Sequence, residues 1–368
     1  MPALPLTVHA EQTESADPHF IKLEDAQRLS DIGEQLAQKR VVYVGETHSA
    51  YRDHLVQLEL LRQLYNANPD MAIGVEWFHA RFQNHLDDYI QERISEKELL
   101  SRTEYYTRWR FDYRLYRPIM QFAREHGIPV IALNASKELI RAISSGGIDN
   151  LSDEMKKQLP SSYDFTNAAY EQKLKVVYDM HSERSSEFRW FHEAQLTWDE
   201  TMADNVAKYL DANPAHRMIV FAGSGHVTHR HGIPSRVQRR TDVNDATVLT
   251  FKDGQFDPGM ADFLVLAEAV ELPTQGKLGA FLETADEGVR VSGFTDGSTA
   301  KEAGMKVGDI IIAVDGQPAA TFTDLKYAIL DKGPGDKLEV RLLRNQMILG
   351  VREKTLTFKL GMPSTPLH

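Results

Sequence analysis

The sequence has 368 residues, a formal net charge of −11 and no cysteine. The length predicts two or three domains, and the lack of cysteine excludes disulfides, cysteine-ligated zinc, iron–sulfur clusters and a cysteine nucleophile. The acidic balance argues against nucleic-acid binding, which needs a lysine- and arginine-rich face. The sequence contains no run of about 18 apolar residues, so no transmembrane segment is predicted.

The first 135 residues alternate between apolar strands and amphipathic helices. Strands are predicted at residues 41–44, 71–76 and 129–133, and helices at 23–37, 51–65 and 118–126. The helical segments repeat their leucines and other apolar residues every three or four positions, whereas the strand segments are short apolar runs. A β-α-β-α-β order favours an α/β fold with a mostly parallel sheet flanked by helices.

The following residues, 135–213, are predicted to form helices inserted between the third and fourth strands. The fourth strand is predicted at residues 218–223, and further strand-like pieces at 236–240, 247–251 and 263–266. The residues before the first helix are polar and lack the charged and apolar regions of a signal peptide. The sequence therefore predicts a cytoplasmic protein or a mature exported form.

Beyond residue 271 the pattern changes to many short strands separated by turn glycines. Strands are predicted at residues 279–283, 288–293, 309–314, 338–343 and 351–358, and helices at 301–305 and 323–330. Residues 272–276 have the composition of a linker. We therefore expect an α/β domain at residues 20–270, a small β-rich domain at 276–360, and loose ends at 1–20 and 361–368.

Two of the apolar strands end in the same Gly-x-x-His pattern. A glycine comes three residues before His48 and also three residues before His226, and Glu46 lies within the first pattern. Ligands of open α/β sheets bind beyond the carboxyl ends of the strands, where Glu76 follows the second strand. We therefore predict that Glu46, His48, Glu76 and His226 converge on one site.

Two imidazoles and two carboxylates are typical of more than one kind of site. They suit a divalent metal ion with open positions, and equally a general base that acts on water while a second group polarises a carbonyl. In a purely structural alternative, Glu46 and His226 form a buried pair, and Glu46 caps the next helix. His54 on that helix is predicted to be solvated, and His229 and His231 to lie on a loop surface.

The C-terminal region contains a specific motif. AGM at residues 303–305 is followed by VGDIIIAVDG at 307–316, and together they resemble a bacterial PDZ domain. PDZ domains bind a peptide C-terminus by strand addition and capture its carboxylate on backbone N–H groups. The resemblance implies a peptide-binding loop at Leu278, Gly279 and Ala280. Lys277 and Ala280 depart from the usual loop, so an internal segment or an empty groove stays an alternative.

The N-terminal region also resembles a known family. The two Gly-x-x-His strands, Glu76, Asn134 after the third strand, and WDETMA at residues 198–203 resemble the ChaN family of the haem-binding uptake and Tiki superfamily, over roughly residues 20–270. The ChaN branch implies haem binding and iron acquisition. The Tiki branch implies metal-dependent peptide hydrolysis, and related esterases imply hydrolysis by a His and Glu cluster. ChaN proteins are commonly lipoproteins anchored through an N-terminal cysteine, which this sequence lacks.

A haem site needs an axial ligand, an apolar slot and cations for the propionates. The candidate ligands are His48, His226 and Tyr51, which follows His48 by three residues and would supply a tyrosinate for ferric haem. Residues 102–117 hold five arginines and six aromatics, which would offer ring faces and guanidinium groups. Alternatively, these aromatics pack a helical subdomain and the arginines lie on its surface.

Three functions stay open at this point. The resemblance favours a haem- or iron-binding protein of the bacterial envelope or periplasm that serves iron acquisition and uses the PDZ module for peptide or protein partners. A metal-dependent peptidase or esterase would use Glu46, His48, Glu76 and His226. A scaffold would recruit partners through the PDZ domain alone. The implied cofactor is haem or a divalent metal ion, and a haem held between two subunits would require a homodimer.

Overall fold

The computed structural model describes residues 23–180, 187–251, 257–346 and 350–363. The predicted loose segment before residue 21 and most of the predicted tail lie outside these residues. Within the described chain, no helix is long and apolar enough to cross a membrane.

The strands form two sheets. The first contains β1 to β6, at Val41–Glu46, Met71–His79, Val130–Asn134, Arg217–Gly223, Asp245–Thr250 and Phe263–Val265. Its strand order is β3-β2-β4-β1-β5-β6, and neighbouring strands are parallel. Every residue of β1 and β2 is buried, as expected for a parallel sheet covered on both faces. The predicted α/β fold with a parallel sheet is therefore confirmed.

Eleven helices accompany this sheet in the described residues. They are α1 to α11, at Leu29–Leu36, Tyr51–Ala67, Gln83–Ile90, Glu96–Arg102, Tyr105–Arg108, Arg117–Glu125, Lys137–Gly146, Asp153–Lys156, Ala168–Asp179, Phe188–Ala212 and Ile233–Arg240. Helices α7 to α10 form the predicted insertion between β3 and β4. Pro118 lies in the first turn of α6, where its missing N–H costs no helical hydrogen bond.

The two faces of the first sheet pack different helices. Val42 and Val44 of β1 lie in one apolar core with α2, whereas Val41 and Tyr43 lie in a second core with α10 and α11. This division follows from the two-residue period of a strand. The same two-residue period decides from which face of the sheet each side chain projects at the carboxyl end of its strand.

One strand prediction is wrong. Residues 236–240, predicted as a strand, belong to α11, which begins at Ile233 with Pro234 in its first turn. Ile233 and Val237 are both buried against the second core, and their spacing of four places them on one helix face. The short segment carries only one turn of this pattern, which is too little to separate a helix from a strand by period.

The second sheet is antiparallel and lies in the C-terminal region. It contains β7 to β12, at Ala280–Ala285, Gly288–Phe294, Ile310–Val314, Gln317–Pro318, Lys337–Gln346 and Gly350–Lys359, with the helices α12 at Thr299–Glu302 and α13 at Phe322–Ala328. The strand order is β12-β11-β9-β8-β7, and β10 pairs with β9. Strand β7 therefore lies at an edge. The sheet has an apolar core of its own that includes Val289, Val314 and Leu338.

Helix α13 also touches the N-terminal region, at α4. Lys97 Nζ lies 2.7 Å from Asp324 Oδ1, and the Tyr327 hydroxyl donates to Glu96 Oε2 at 3.3 Å. Leu330, just after α13, is buried in the first core of the parallel sheet. The helix that flanks the second sheet is thus also part of the contact with the first.

Candidate functional site

The carboxyl ends of β1 to β4 open into a cavity of about 360 Å³. The pairing of β1 with β4 places Glu46 beside Gly223, so the two Gly-x-x-His segments leave the sheet next to each other. Imidazoles, aromatic rings and cations form most of the cavity wall. The lining residues are His48, Glu76, His79, Arg108, Trp109, Phe111, Asn134, Ala135, Lys137, Ile140, Trp198 and His226.

A buried carboxylate fixes His48. The ring donates from Nδ1 to Glu46 Oε1 at 2.9 Å, and since an ionised carboxylate only accepts, this contact sets the tautomer. Glu46 is 2% exposed and also accepts from Gln57 Nε2 at 2.7 Å and from the Tyr116 hydroxyl at 3.3 Å. In the described chain no hydrogen bond reaches His48 Nε2, which leaves this nitrogen free for a ligand.

Glu46 and His48 stabilise each other's charged forms. Burial raises the pKa of Glu46, but the His54 and His48 imidazoles outweigh it and hold that pKa below its ordinary value. Burial lowers the pKa of His48, but the hydrogen bond with Glu46 and the charges of Glu76 and Glu46 outweigh it and leave that pKa raised. Loss of a proton from His48 therefore needs a higher pH than for an exposed imidazole.

Aromatic rings enclose the imidazole of His48. Its ring centroid lies 4.8 Å from Trp109 and 4.9 Å from Phe111. Trp198, which also lines the cavity, lies 5.7 Å from the ring of His226 and donates its indole N–H to Asn134 Oδ1. These contacts give the cavity flat apolar walls, which suit a planar aromatic ligand.

His226 has a carboxylate at each ring nitrogen. Its Nδ1 donates to Asp199 Oδ1 at 2.5 Å, and its Nε2 lies 3.5 Å from Glu76 Oε1. Burial lowers the pKa of His226, but the charges of Asp199 and Glu76 outweigh it and raise that pKa to about 9. His226 is therefore an imidazolium at neutral pH. Both its nitrogens carry protons and face carboxylates, so it offers a ligand no lone pair.

His79, at the end of β2, is the third imidazole in the wall. Burial, with the Arg108 and Arg81 charges, lowers the pKa of His79 to about 4, so this ring is neutral. Arg108 binds Glu138 at 3.0 Å, and Lys137 on the cavity rim forms no ion pair with any described residue. The three histidines of one cavity thus differ in pKa because their neighbours differ.

A second concavity of about 390 Å³ lies between β7 and α13 in the C-terminal sheet. Leu278, Gly279 and Ala280, the predicted peptide-binding loop, all line it, together with Lys277. Gly279 adopts a φ of +72°, which favours glycine. The loop and the free edge of β7 are therefore placed side by side.

The sequence of the parallel-sheet region matches a family model described as haem-binding uptake, Tiki superfamily, ChaN, at residues 32–237, more than half of the chain. The chain belongs to the ChaN family. A PDZ-domain model matches residues 276–355, so the ChaN-like region is followed by a PDZ domain as predicted. A solved structure described as cofacial heme binding to ChaN of Campylobacter jejuni has a TM-score of 0.51 at 19% identity, and the match covers 65% of this chain and 91% of that one. This likeness shows a shared fold.

Two curated relatives match separate parts of the chain. Protein RETICULATA-RELATED 5, chloroplastic, of Arabidopsis thaliana is 24% identical over 263 residues, which is 63% of this chain and 35% of the relative. The periplasmic pH-dependent serine endoprotease DegQ of Escherichia coli (strain K12) is 39% identical over 66 residues, which is 18% of this chain and 14% of that protein. The chain therefore matches about a third or less of the length of each.

The acidic and histidine side chains of the cavity form other pairs than the predicted structural pair of Glu46 with His226. Glu46 leaves the sheet on the face of Val42 and Val44, towards α2, and contacts His48 and His54. Glu76 leaves on the opposite face and contacts His226. The expected pair of Glu46 with His226 is therefore wrong, and Glu46 caps no helix, since α2 begins after Ala50 without a side-chain cap.

The same separation bears on the metal alternative. The four predicted ligands divide into Glu46 with His48 and Glu76 with His226, and His226 has no free nitrogen. Among the described residues, no three His, Asp or Glu side chains are arranged to hold a metal ion. The structure therefore does not support a divalent metal ion at Glu46, His48, Glu76 and His226.

Tyr51 and the segment 102–117 divide between core and cavity. Tyr51 packs on the first core at the start of α2 and does not line the cavity. Tyr105, Tyr113 and Tyr116 are buried in that core, whereas Trp109, Phe111 and Arg108 reach the cavity. The segment thus contributes to both the core and the cavity wall, and its predicted contact with haem stays a prediction.

Two groups of the site are not predicted by the sequence, and a third is predicted in the wrong place. Asp199 on α10 belongs to the family motif, yet its sequence position does not show that it is the partner of His226. His79 lies beyond the predicted end of β2, whereas the strand continues through it. His54, expected to be solvated, is 2% exposed, and its Nδ1 lies 3.3 Å from Glu46 Oε2. A polar residue on the buried side of α2, near a strand-end carboxylate, was the available signal for His54.

Proposed function

We propose that this protein binds haem in the cavity at the carboxyl edge of the parallel sheet, with His48 Nε2 as the iron ligand, and serves iron acquisition in the bacterial cell envelope. The observation that carries the proposal is the state of His48. One ring nitrogen is held by buried Glu46 at 2.9 Å, and the other has no hydrogen-bond partner in the described chain. Metal-ligating histidines commonly donate their second N–H to a carboxylate in this way.

The remaining residues of the cavity fit the shape and charge of haem. Trp109 and Phe111 flank His48 at centroid distances of 4.8 and 4.9 Å, and Trp198 lines the same cavity. These rings offer apolar faces for the macrocycle. Bound haem supplies an iron that accepts the nitrogen lone pair.

Positive groups in the wall fit the two propionates of haem. Lys137 is exposed on the rim without an ion pair in the described chain, and Arg108, which is bound by Glu104 and Glu138, also lines the cavity. Cations on a partly desolvated wall bind carboxylates more strongly than cations in bulk water.

His48 is a better ligand than the other two candidates. Tyr51 does not line the cavity, and His226 is protonated on both nitrogens at neutral pH. His48 needs to release one proton to bind iron, and Glu46 then retains the Nδ1 hydrogen bond. The chain's part in binding is thus to orient the ring and to hold the proton at Nδ1.

The envelope location and the role in iron acquisition rest on family and relatives. The description of the ChaN family model includes haem-binding uptake. One relative of the PDZ region is a periplasmic protease of Escherichia coli. Cell fractionation of the native host with an antibody against the protein tests the location. Recovery in the cytoplasmic fraction alone would rule out the envelope assignment without affecting haem binding.

Titration with hemin tests the binding site. Wild-type protein should develop a shifted Soret band that saturates at a fixed stoichiometry, and His48→Phe, which keeps a ring but removes the nitrogen, should lose that band. His126→Phe is a matched control, because His126 is exposed and outside the cavity. An identical Soret shift in wild type and His48→Phe would overturn the assignment of His48. No saturable shift in wild type would overturn haem binding itself.

The predicted homodimer stays a prediction, and one surface supports it. Val176 and Met180, at the end of α9 and just after it, are 50% and 76% exposed. Lys173 on the same helix donates to Gly225 O, next to His226. Apolar surface therefore lies near the cavity, where a second subunit would cover it. Light scattering before and after hemin addition should show a mass increase, and a constant monomer mass would exclude the dimer.

A further inference from the structure

The groove between β7 and α13 carries more positive charge than peptide capture requires. A PDZ groove binds an extended peptide on the free edge of a strand and takes its terminal carboxylate on backbone N–H groups. In this chain Lys277 precedes the loop Leu278–Ala280, and Lys326 projects from α13 on the other side of the groove. No aspartate or glutamate belongs to the described lining, although the chain has 53 acidic residues.

Neither lysine forms an ion pair in the described part of the chain. Lys277 Nζ donates to the neutral side chain of Gln275, at 3.1 Å from Oε1. Lys326 Nζ lies 5.3 Å from the centroid of the Phe322 ring. The carboxylate of Asp112 acts on both lysines, but it is already bound by Arg114 at 2.7 Å. Neither ammonium group thus contacts a carboxylate in the described part of the chain.

The surroundings leave both charges poorly solvated. Burial lowers the pKa of Lys326, and the nearby charge of Lys277 lowers it further. Burial likewise lowers the pKa of Lys277. A partly buried ammonium group without an anionic partner costs free energy. A carboxylate bound between the two ammonium groups would offset the free-energy cost of their desolvation and reduce their mutual repulsion.

We propose that the groove selects peptide C-termini that carry an aspartate or glutamate side chain close to the terminal carboxylate, with Lys277 and Lys326 as the groups that bind this second negative charge. The occupant is therefore an acidic C-terminal segment of a partner protein. The loop around Gly279 takes the terminus, the edge of β7 takes the backbone, and the two lysines supply the selectivity. This selectivity is independent of the haem cavity, whose lining contains neither lysine.

Fluorescence anisotropy with three matched decapeptides tests the proposal on the full chain. The peptides share one apolar C-terminal residue and differ only in the three preceding positions, which are glutamate, glutamine or lysine. Wild-type protein should bind the glutamate peptide about tenfold more tightly than the glutamine peptide, as expected for a charge-assisted contact. The preference should weaken at high salt, since exposed parts of the groove are screened.

Substitutions in the groove identify the groups responsible. The double variant Lys277→Met/Lys326→Met should bind the glutamate and glutamine peptides equally, while Lys359→Met, on the exposed part of β12, should behave as wild type. Lys326→Glu should turn the preference towards the lysine peptide, which a merely misfolded groove cannot do. Equal binding of the glutamate and glutamine peptides by wild type, an acidic preference that survives in the double variant, or binding of none of the three peptides would each overturn the proposal.

The hemin titration separates this result from the haem proposal. The double lysine variant should give the same Soret shift as wild type, because both lysines lie outside the haem cavity. A lost peptide preference with an intact Soret shift supports the groove assignment. If the Soret shift is lost as well, the lysines act on the fold as a whole and the groove assignment is overturned.

Discussion

Gly223 lies directly against the imidazole of His48. A Cβ atom placed on Gly223 would lie 2.9 Å from His48 Cε1 and 3.1 Å from Nε2. Since β1 and β4 are paired neighbours that place Glu46 beside Gly223, the second Gly-x-x-His segment makes room for the histidine of the first. The glycine of the motif is thus required by close approach rather than by an unusual backbone angle.

Gly223→Ala should weaken hemin binding without removing a single polar atom of the site. The added methyl group would push the His48 ring away from its position on Glu46, and we expect a loss of about tenfold or more in affinity, with a stability cost of about 1–3 kcal/mol. Gly225→Ala is the control, because a Cβ there meets no atom within 4 Å. Equal Soret titrations for both variants would contradict the contact between Gly223 and His48.

Hemin affinity should depend on the protonation of His48. The pKa of His48 is raised above 6.5, and iron competes with the proton on Nε2, so affinity should fall as pH drops through that raised pKa, by up to about tenfold per pH unit below it. Glu46→Gln removes the charge that favours the imidazolium, so the midpoint should move to lower pH. Hemin titrations at a series of pH values measure both midpoints, and an unchanged midpoint in Glu46→Gln would contradict the coupling.

The charged state of His226 predicts a pH dependence of stability. Its pKa in the folded protein is about 9, above the ordinary value of 6.5. The stabilisation from this proton is therefore fully present below pH 6.5 and is lost as pH rises from 6.5 through 9. The shift corresponds to a free energy on the order of 3 kcal/mol. Urea denaturation at several pH values should show a steeper loss for wild type than for His226→Gln in this window.

Asp199, the carboxylate partner of His226, allows the source of this pH dependence to be tested. It is fully buried on α10 and also accepts from the Tyr170 hydroxyl. Asp199→Asn keeps the shape and a hydrogen-bond acceptor but removes the charge, so the pKa of His226 should fall and the loss of stability should move to lower pH. A wild-type stability profile in Asp199→Asn would show that other groups set the charge of His226.

The sequence predicts the site better than it predicts the contacts within it. Short apolar runs that end at a glycine and a histidine, such as those before His48 and His226, are local signals, and the parallel sheet brings them together. The partners of these histidines are non-local. Glu46 and Glu76 leave opposite faces of the sheet because Glu46 lies level with Gly223 of β4, whereas Val75, next to Glu76, lies level with Phe221. This register between strands cannot be read from any single segment. Asp199 is reached only through the packing of α10.

The C-terminal motif was predictable for a different reason. Gly304, Gly308 and Gly316 all have positive φ angles, so the turn glycines of the motif are tied to backbone geometry that other residues adopt at a cost. The positive charge of the groove was harder to predict from the sequence, since Lys326 on α13 and Lys277 before β7 are separated by 49 positions. The contact between α13 and α4 has no local signal either.

Leu330 should couple the two sheets, so that they unfold together in one transition. It follows α13 in the PDZ region, yet it is 2% exposed in the first core of the parallel sheet. Leu330→Ala should cost about 2–5 kcal/mol and should separate unfolding into two calorimetric transitions, because the shared core contact is lost. Leu338→Ala is a matched control, since Leu338 is fully buried in the core of the second sheet alone. It should lower the stability of the second sheet without weakening the contact between the sheets. Identical calorimetric profiles for the two variants would contradict a joining role for Leu330.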